Sequence, residues 1–232
     1  MAMPDESRVL VFDLDDTLYL ERDFAYSGFT AAEAWLKKEM GIDGLAGHCR
    51  TLFSSGKRTR VFDEALEILE MSGRDDLVAA LIAIYRNHSP QIALAADALR
   101  YLQRPSGRRA VITDGNAATQ RAKVKALDLD RFVDLVIYTD AWGRPYWKPH
   151  SRAFETIQDW AEVAPSQLVY VADNPLKDFV TPRSLGWTTV RIARSERVHL
   201  ELAPDLDHEA HAEIADLDAL DDCLAALSRG PG

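Results

Sequence analysis

Apolar residues along the 232-residue chain follow two patterns, and the switch between them sets the expected architecture. Short, nearly continuous apolar runs occur at Arg8 to Phe12, Arg109 to Thr113, Leu135 to Tyr138, Leu168 to Val171 and Thr188 to Ile192. Each is rich in β-branched and aromatic residues and short enough to be a strand buried on both faces. Between them lie segments with helical spacing, at Ala117 to Leu127, Ser151 to Val163 and Leu176 to Leu185. Strands alternating with helices of about ten residues predict βαβ units and a parallel sheet. Ala95 to Gln103 reads as a helix returning to that sheet, and Leu217 to Leu227 as a final helix.

One long stretch breaks the alternation. From about Asp23 to Ser89 the spacing is helical, at Phe29 to Met40, Val61 to Met71 and Asp75 to Tyr85, with turn signals at Gly41, Gly44, Gly56 and Ser72-Gly73. The expected fold is therefore α/β: a doubly wound parallel-sheet core from residues 1–20 and 91–232, with an all-helical unit inserted at residues 21–90. The tail after Arg194 is acidic and less patterned.

Charge and composition narrow the partners. Lys and Arg total 27 against 37 Asp and Glu, a formal net charge of −10, which argues against a nucleic-acid binder that works by neutralising phosphates. Small anionic substrates remain compatible, because a local cluster of Lys, backbone amides and a metal ion overrides net charge. The longest apolar run, Leu77 to Tyr85, is far shorter than the roughly 20 residues a membrane helix requires. Met1 to Ser7 has neither the basic nor the apolar region of a signal peptide, and Cys49 and Cys223 have no paired spacing, so a reducing cytosol is the expected compartment.

Four polar clusters follow four of the predicted strands, where open α/β sheets place their ligands. Asp13-Leu14-Asp15-Asp16-Thr17 puts two carboxylates at i and i+2, near enough for one to attack while the other handles a proton. Thr113-Asp114-Gly115-Asn116 opens a helix and offers a hydroxyl and backbone amides to an anion. Lys148-Pro149 supplies a cation, and Asp173-Asn174-Pro175-Leu176-Lys177-Asp178 adds two acids. Hard oxygen ligands of this kind suit Mg²⁺.

This ordered set resembles the haloacid dehalogenase (HAD) superfamily, over residues 8 to about 192. The resemblance implies that Asp13 is the nucleophile that becomes an aspartyl-phosphate and Asp15 the general acid and then base. It further implies that Thr113 and the amides of Asp114 and Gly115 hold the phosphoryl oxygens while Lys148 neutralises charge. Asp13, the Asp15 carbonyl and Asp173 would bind Mg²⁺, with Asp178 as a ligand or support. Two departures stand out: Ala172 precedes the last box where the family often has Gly or Asp, and position 15 is Asp rather than the Tyr of the family's dehalogenases. The second favours phosphoryl chemistry over carbon–halogen cleavage. The insertion resembles a C1-type cap, in which Lys57, Arg58 and Arg60, flanking the turn at Gly56, would reach an anionic substrate and Tyr26 would lie in the family's entry loop.

The implied function is a Mg²⁺-dependent cytosolic phosphatase acting on a small phosphorylated metabolite, a phosphosugar or a nucleotide, with no nucleic-acid or membrane partner. Each cluster alone has a plainer reading, as a turn and helix cap, a structural hydroxyl, a solvated lysine or a helix-face acid; the basic residues of the insertion read equally as a solvated loop, and Trp142 and Trp147 as packing. Three other functions share the scaffold. A phosphomutase would return the phosphoryl group to substrate; a response-regulator-like phosphoacceptor is disfavoured by the early position of the first acids and by the insertion; a non-catalytic binding protein is disfavoured by the intact acids of all four clusters.

Overall fold

The structure is a computed structural model that describes residues 8–105 and 107–229, so the acidic stretch Met1 to Ser7 lies outside the described residues. Six strands form one parallel sheet: β1 (Val9–Phe12), β2 (Arg109–Thr113), β3 (Leu135–Tyr138), β4 (Leu168–Ala172), β5 (Thr188–Ile192) and β6 (Ala212–Ile214), in the order β3-β2-β1-β4-β5-β6. The four residues of β1 and all of β2 and β4 are buried, as the unbroken apolar runs require. The order runs outward in both directions from β1, and β1 pairs with β2 on one side and β4 on the other. The carboxyl ends of these three central strands therefore share one edge of the sheet, the place where doubly wound folds bind ligands.

Helices α1 (Glu21–Met40), α2 (Leu45–Ser54), α3 (Val61–Ile68) and α4 (Asp75–Asn87) follow β1, and α5 (Ala96–Leu102) precedes β2. The sheet is completed by α6 (Ala117–Ala126), α7 (Arg152–Ala161), α8 (Val180–Ser184) and α9 (Leu220–Arg229). The described chain divides into two compact units, one running to Glu21 and resuming at Ala93, the other spanning Arg22–Ile92. Within the first, Phe154, Ile157, Tyr170, Phe179 and Trp187 pack with the sheet. Within the second, Phe29, Leu36, Leu45, Phe62, Leu66 and Leu81 form a separate core, with Phe29 and Phe62 edge to face at 5.8 Å. A Cβ at Gly28 would run into the Tyr85 ring, so glycine there permits α1 and α4 to approach. Among the described residues no helix is long and apolar enough to cross a membrane.

Three elements differ from the sequence expectation. The helix expected at Leu176 to Leu185 is confined to Val180–Ser184, because Pro182 must sit in a first turn, where it lacks no needed N–H; the residues before it form a turn closed by Asn174 O. Helix α2 was hidden by Gly47 in its interior, although Leu45, Ala46 and Cys49 are buried on one face. Strand β6, only three residues long, is defined by its pairing with β5 rather than by a pattern of its own.

A buried ion pair ties the tail to the loop after β1. The Arg194 guanidinium donates to both oxygens of Asp97 at 2.9 Å and to the Thr17 carbonyl, while Asp97 also accepts the Leu217 amide at 2.8 Å. Burial pushes the Asp97 carboxyl up, but these donors hold it below its ordinary value of 3.8. Its stabilising contribution is thus complete above that value and is lost as the pH falls through the lower folded value. Asp97→Ala is expected to cost about 3–5 kcal/mol by stranding Arg194, measured as a lower urea midpoint at unchanged slope.

Candidate active site

The β1–β4 ladder runs one residue past β1, with the Asp13 amide donating to Val171 O at 2.9 Å, and this registers the Asp13 side chain at the sheet edge. Lys148, wholly buried, donates from Nζ to Asp13 Oδ1 at 2.6 Å and to the Tyr170 hydroxyl at 2.9 Å, and it pairs with Asp178 Oδ1 at 2.7 Å. Burial alone would pull the Lys148 ammonium down, but Asp13, Asp178 and Asp114 carry it well above its ordinary range. The Asp13 carboxyl is raised to about 6, chiefly by burial and also by Asp178, against the pull of Lys148. The one Lys148 ammonium serves both Asp13 and Asp178, and its pull on Asp13 is outweighed by burial.

The third acid explains where the imbalance resides. Asp13, Asp173 and Asp178 each present an oxygen within 4.8 Å of the others. Asp173 Oδ2 is buried with no hydrogen-bond partner, and burial together with Asp178, Asp13 and Asp16 pushes its carboxyl well above the usual range. A buried acceptor without a donor is costly, and a divalent cation is the group that satisfies hard oxygens so arranged. The residues present therefore fit Mg²⁺. Asp178 is more fully engaged than its sequence position shows, accepting the Asn174 amide at 3.1 Å besides Lys148.

Asp15 sits in an opposite environment. Its Oδ1 accepts Lys123 Nζ at 2.7 Å and the Tyr19 hydroxyl, and its Oδ2 accepts Gln120 Nε2 at 2.9 Å. Burial raises this carboxyl, yet the Lys123 charge and these hydrogen bonds hold it below 3.8. Two acids separated by one residue are thus held in different protonation environments, Asp13 sharing its lysine with other buried acids and Asp15 held by a lysine and two further donors.

Around the end of β2, Thr113 is buried and its hydroxyl accepts from Gln120 Nε2 while donating weakly to Asp114 O at 3.4 Å. The Asp114 carboxylate accepts Thr139 Oγ1 at 2.8 Å, the Lys148 amide at 3.1 Å and Lys177 Nζ at 3.1 Å, so it locks together the loops after β2 and β3 and the turn after β4. Gly115 takes φ +106°, a conformation that favours glycine, and Asn116 Oδ1 caps α6 by accepting the amides of Ala118 and Thr119. Asp16, itself at φ +52°, accepts the amides of Glu21 and Val198 and is a loop pin. Trp147 donates to Asp140 and Trp142 packs on the core, which are structural roles.

Asp13, Thr113, Lys148, Asp173 and Asp178 thus meet at one sheet edge, with Asp15, Asp114 and Gly115 on the adjoining loops. The basic residues of the helical unit have partners inside that unit: Lys57 with Glu64 at 2.8 Å, Arg60 with Asp63 at 3.5 Å, Arg58 over the Phe53 ring, and Tyr26 with Ser54. Sequence reasoning gave no role to Gln120, Lys123, Tyr19, Tyr170 or Lys177. A signal for two of them existed: Gln120, Lys123, Val124 and Leu127 follow i, i+3, i+4, i+7 spacing, so two polar residues occupy the face of α6 where apolar ones belong.

Comparison with known proteins places the chain in a family. The description of haloacid dehalogenase-like hydrolases matches residues 8–184. A glyceraldehyde 3-phosphate phosphatase of Pyrococcus furiosus is 26% identical over 235 aligned positions, covering 97% of this chain and 95% of that protein. A phosphoserine phosphatase of Thermus thermophilus is 30% identical over 185 positions, covering 77% and 71%. In fold, the chain is similar to the HAD-hydrolase YfnB of Bacillus subtilis, with a TM-score of 0.66 at 17% identity, covering 94% and 98%. With more than half its length matched to that family and the four polar clusters gathered at the carboxyl edge of a parallel sheet, the chain belongs to the haloacid dehalogenase-like hydrolases.

Proposed function

We propose that this hydrolase is a Mg²⁺-dependent phosphatase that cleaves small phosphomonoesters through an aspartyl-phosphate on Asp13. The observation that carries the reading is the pair of contrasting acids: Asp13 beside Lys148 and the unpartnered Asp173 oxygen, and Asp15 held separately by Lys123 and Gln120. The phosphatase relatives support it, and those named act on small phosphorylated metabolites. By that similarity, phosphosugars and small phosphorylated acids are the substrates to expect ahead of nucleotides.

An Asp13 oxygen forms a bond to phosphorus as the ester P–O bond breaks, and the leaving oxygen takes a proton from Asp15, whose carboxylate, held below 3.8 in the free protein, first takes that proton from the entering phosphomonoester monoanion. Asp15, again a carboxylate, takes a proton from water, whose oxygen attacks the phosphorus as the Asp13–phosphorus bond breaks; that proton leaves with the phosphate, and both carboxylates are restored. Thr113 and the amides of Asp114 and Gly115 hold phosphoryl oxygens, and Lys148 offsets the charge that accumulates on them. Asp13, the Asp15 carbonyl and Asp173 would hold Mg²⁺, with Asp178 supporting through Lys148; when bound, the ion supplies neutralisation between the phosphate dianion and the attacking carboxylate. Phosphate release from a panel of sugar, hydroxy-acid and nucleotide monoesters tests the reading. Release that requires Mg²⁺ is expected, and no release from any ester by folded, Mg²⁺-supplied protein would contradict it.

The raised carboxyls also make stability depend on metal and pH. Between 3.8 and about 6 the folded metal-free protein keeps an Asp13 proton that the unfolded chain has released, so its stability declines as pH rises through that window. Replacing the proton with Mg²⁺ at 100 times its dissociation constant is expected to add about 2.7 kcal/mol. The gain should be larger at about pH 7 than at about pH 5 in thermal melts with and without Mg²⁺; equal gains would contradict the assignment.

A further inference from the structure

We propose that Gln120 and Lys123 are positioning residues that orient Asp15 so that its proton is given and taken at Oδ2. The inference rests on the phosphatase reading above and goes beyond it, because both residues act through Asp15. Both project from α6 one turn apart, and both are buried, at 2% and 5% exposure. The Asn116 cap fixes where α6 begins, and hence which of its residues face the end of β1.

The hydrogen-bond arithmetic assigns the atom. A carboxylate oxygen has about two lone pairs. At Oδ1 both are used, by Lys123 Nζ at 2.7 Å and by the Tyr19 hydroxyl. At Oδ2 Gln120 Nε2 uses one, at 2.9 Å, which leaves the other to carry the proton. Lys123 thus closes one oxygen to proton transfer while Gln120 aims the other. The second hydrogen of the same amide goes to Thr113 Oγ1, so one side chain ties the proton-handling oxygen to the hydroxyl at the phosphoryl site. Having accepted from Gln120, the Thr113 hydroxyl keeps its own hydrogen on a weak 3.4 Å contact with Asp114 O, from which it can turn to a phosphoryl oxygen.

A merely structural role, filling space and pairing buried charge, would affect every substrate alike. Orientation of a general acid has a different signature, because an alkyl leaving group needs a proton while 4-nitrophenolate leaves without one. The ratio kcat/KM reports steps up to loss of the leaving group, so it isolates this difference. Glycerol phosphate and 4-nitrophenyl phosphate are therefore compared for wild type, Gln120→Met, Lys123→Met and Asp15→Asn, with folding checked by denaturation. General acid–base catalysis contributes typically 10²–10⁴-fold, so each α6 variant is expected to lose about 10- to 100-fold on glycerol phosphate and less than about threefold on the aryl ester. Gln120→Met is close in size and removes only the amide, so it decides the matter should Lys123→Met fold poorly.

Equal losses on the two esters, or no loss on either, from variants that fold, with Asp15→Asn still discriminating, would overturn the positioning role and leave the phosphatase reading intact. Failure of Asp15→Asn itself to discriminate would overturn the role given to Asp15 and the proposal with it. Failure of the wild type to turn over either ester would overturn the phosphatase reading.

Discussion

Asp13→Asn is expected to lower kcat for any phosphomonoester by about 10⁴-fold or more, the order seen when a nucleophile is removed from a covalent mechanism. A carboxamide oxygen is a poor nucleophile, and the change also removes the acid that Lys148 contacts at 2.6 Å. The loss is not expected to come from unfolding. In the metal-free protein Asp13 is an acid that burial pushes up to about 6, crowded by Asp178, so neutralising it relieves repulsion while Lys148 keeps Asp178 as partner. Phosphate release and thermal denaturation measured on the same preparation should therefore move apart, with activity abolished and melting temperature without Mg²⁺ unchanged or raised. A variant retaining more than about one hundredth of wild-type kcat would remove Asp13 from the nucleophile's role.

Lys148→Met is expected to lose both activity and stability, by separable routes. The methionine fills the stem's volume but leaves Asp13 and Asp178 buried without their shared cation. Stripping one partner from a buried ion pair costs about 3–5 kcal/mol, and loss of a positioned charge from the transition state lowers kcat about 10²–10³-fold. Adding Asp178→Asn should restore part of the stability, because one of the stranded acids is neutralised, and none of the activity. A double-mutant cycle in urea and in turnover measures the two effects independently. Full additivity of the stability changes would contradict the shared-cation arrangement.

How much of this molecule is legible in its sequence depends on whether a feature is local. Strands β1 and β4 read directly because burial of every residue demands an unbroken apolar run, the other three longer strands keep enough β-branched and apolar residues to read the same way, and the acids that follow β1 and β4 stand out because charge interrupts those runs. The helical insertion is legible from its length and period. Strand β6 is not, since three residues on a sheet edge carry no period and owe their state to pairing with β5. At the site, Asp13, Thr113, Lys148 and Asp173 are found by their positions after strands. The partners are not: Lys148 and Asp178 lie 30 residues apart, and only the packing of the loop before α7 against the turn after β4 makes them neighbours. Gln120 and Lys123 were visible as polar residues on an apolar face, but their target, Asp15, follows from how α6 is set against β1.

The central claim is that Asp13 carries the phosphoryl group. Asp15→Asn offers a direct view of it, because 4-nitrophenyl phosphate can load Asp13 without an acid, whereas water cannot unload it without a base. The variant is mixed with Mg²⁺ and 4-nitrophenyl phosphate, quenched in acid, and its peptides are weighed by mass spectrometry. The account predicts a burst of one 4-nitrophenol per protein, with one phosphoryl group on the peptide containing Asp13 and none when Asp13→Asn is added. A burst with the phosphoryl group on another residue, or steady turnover with Asp13 never modified, would contradict it.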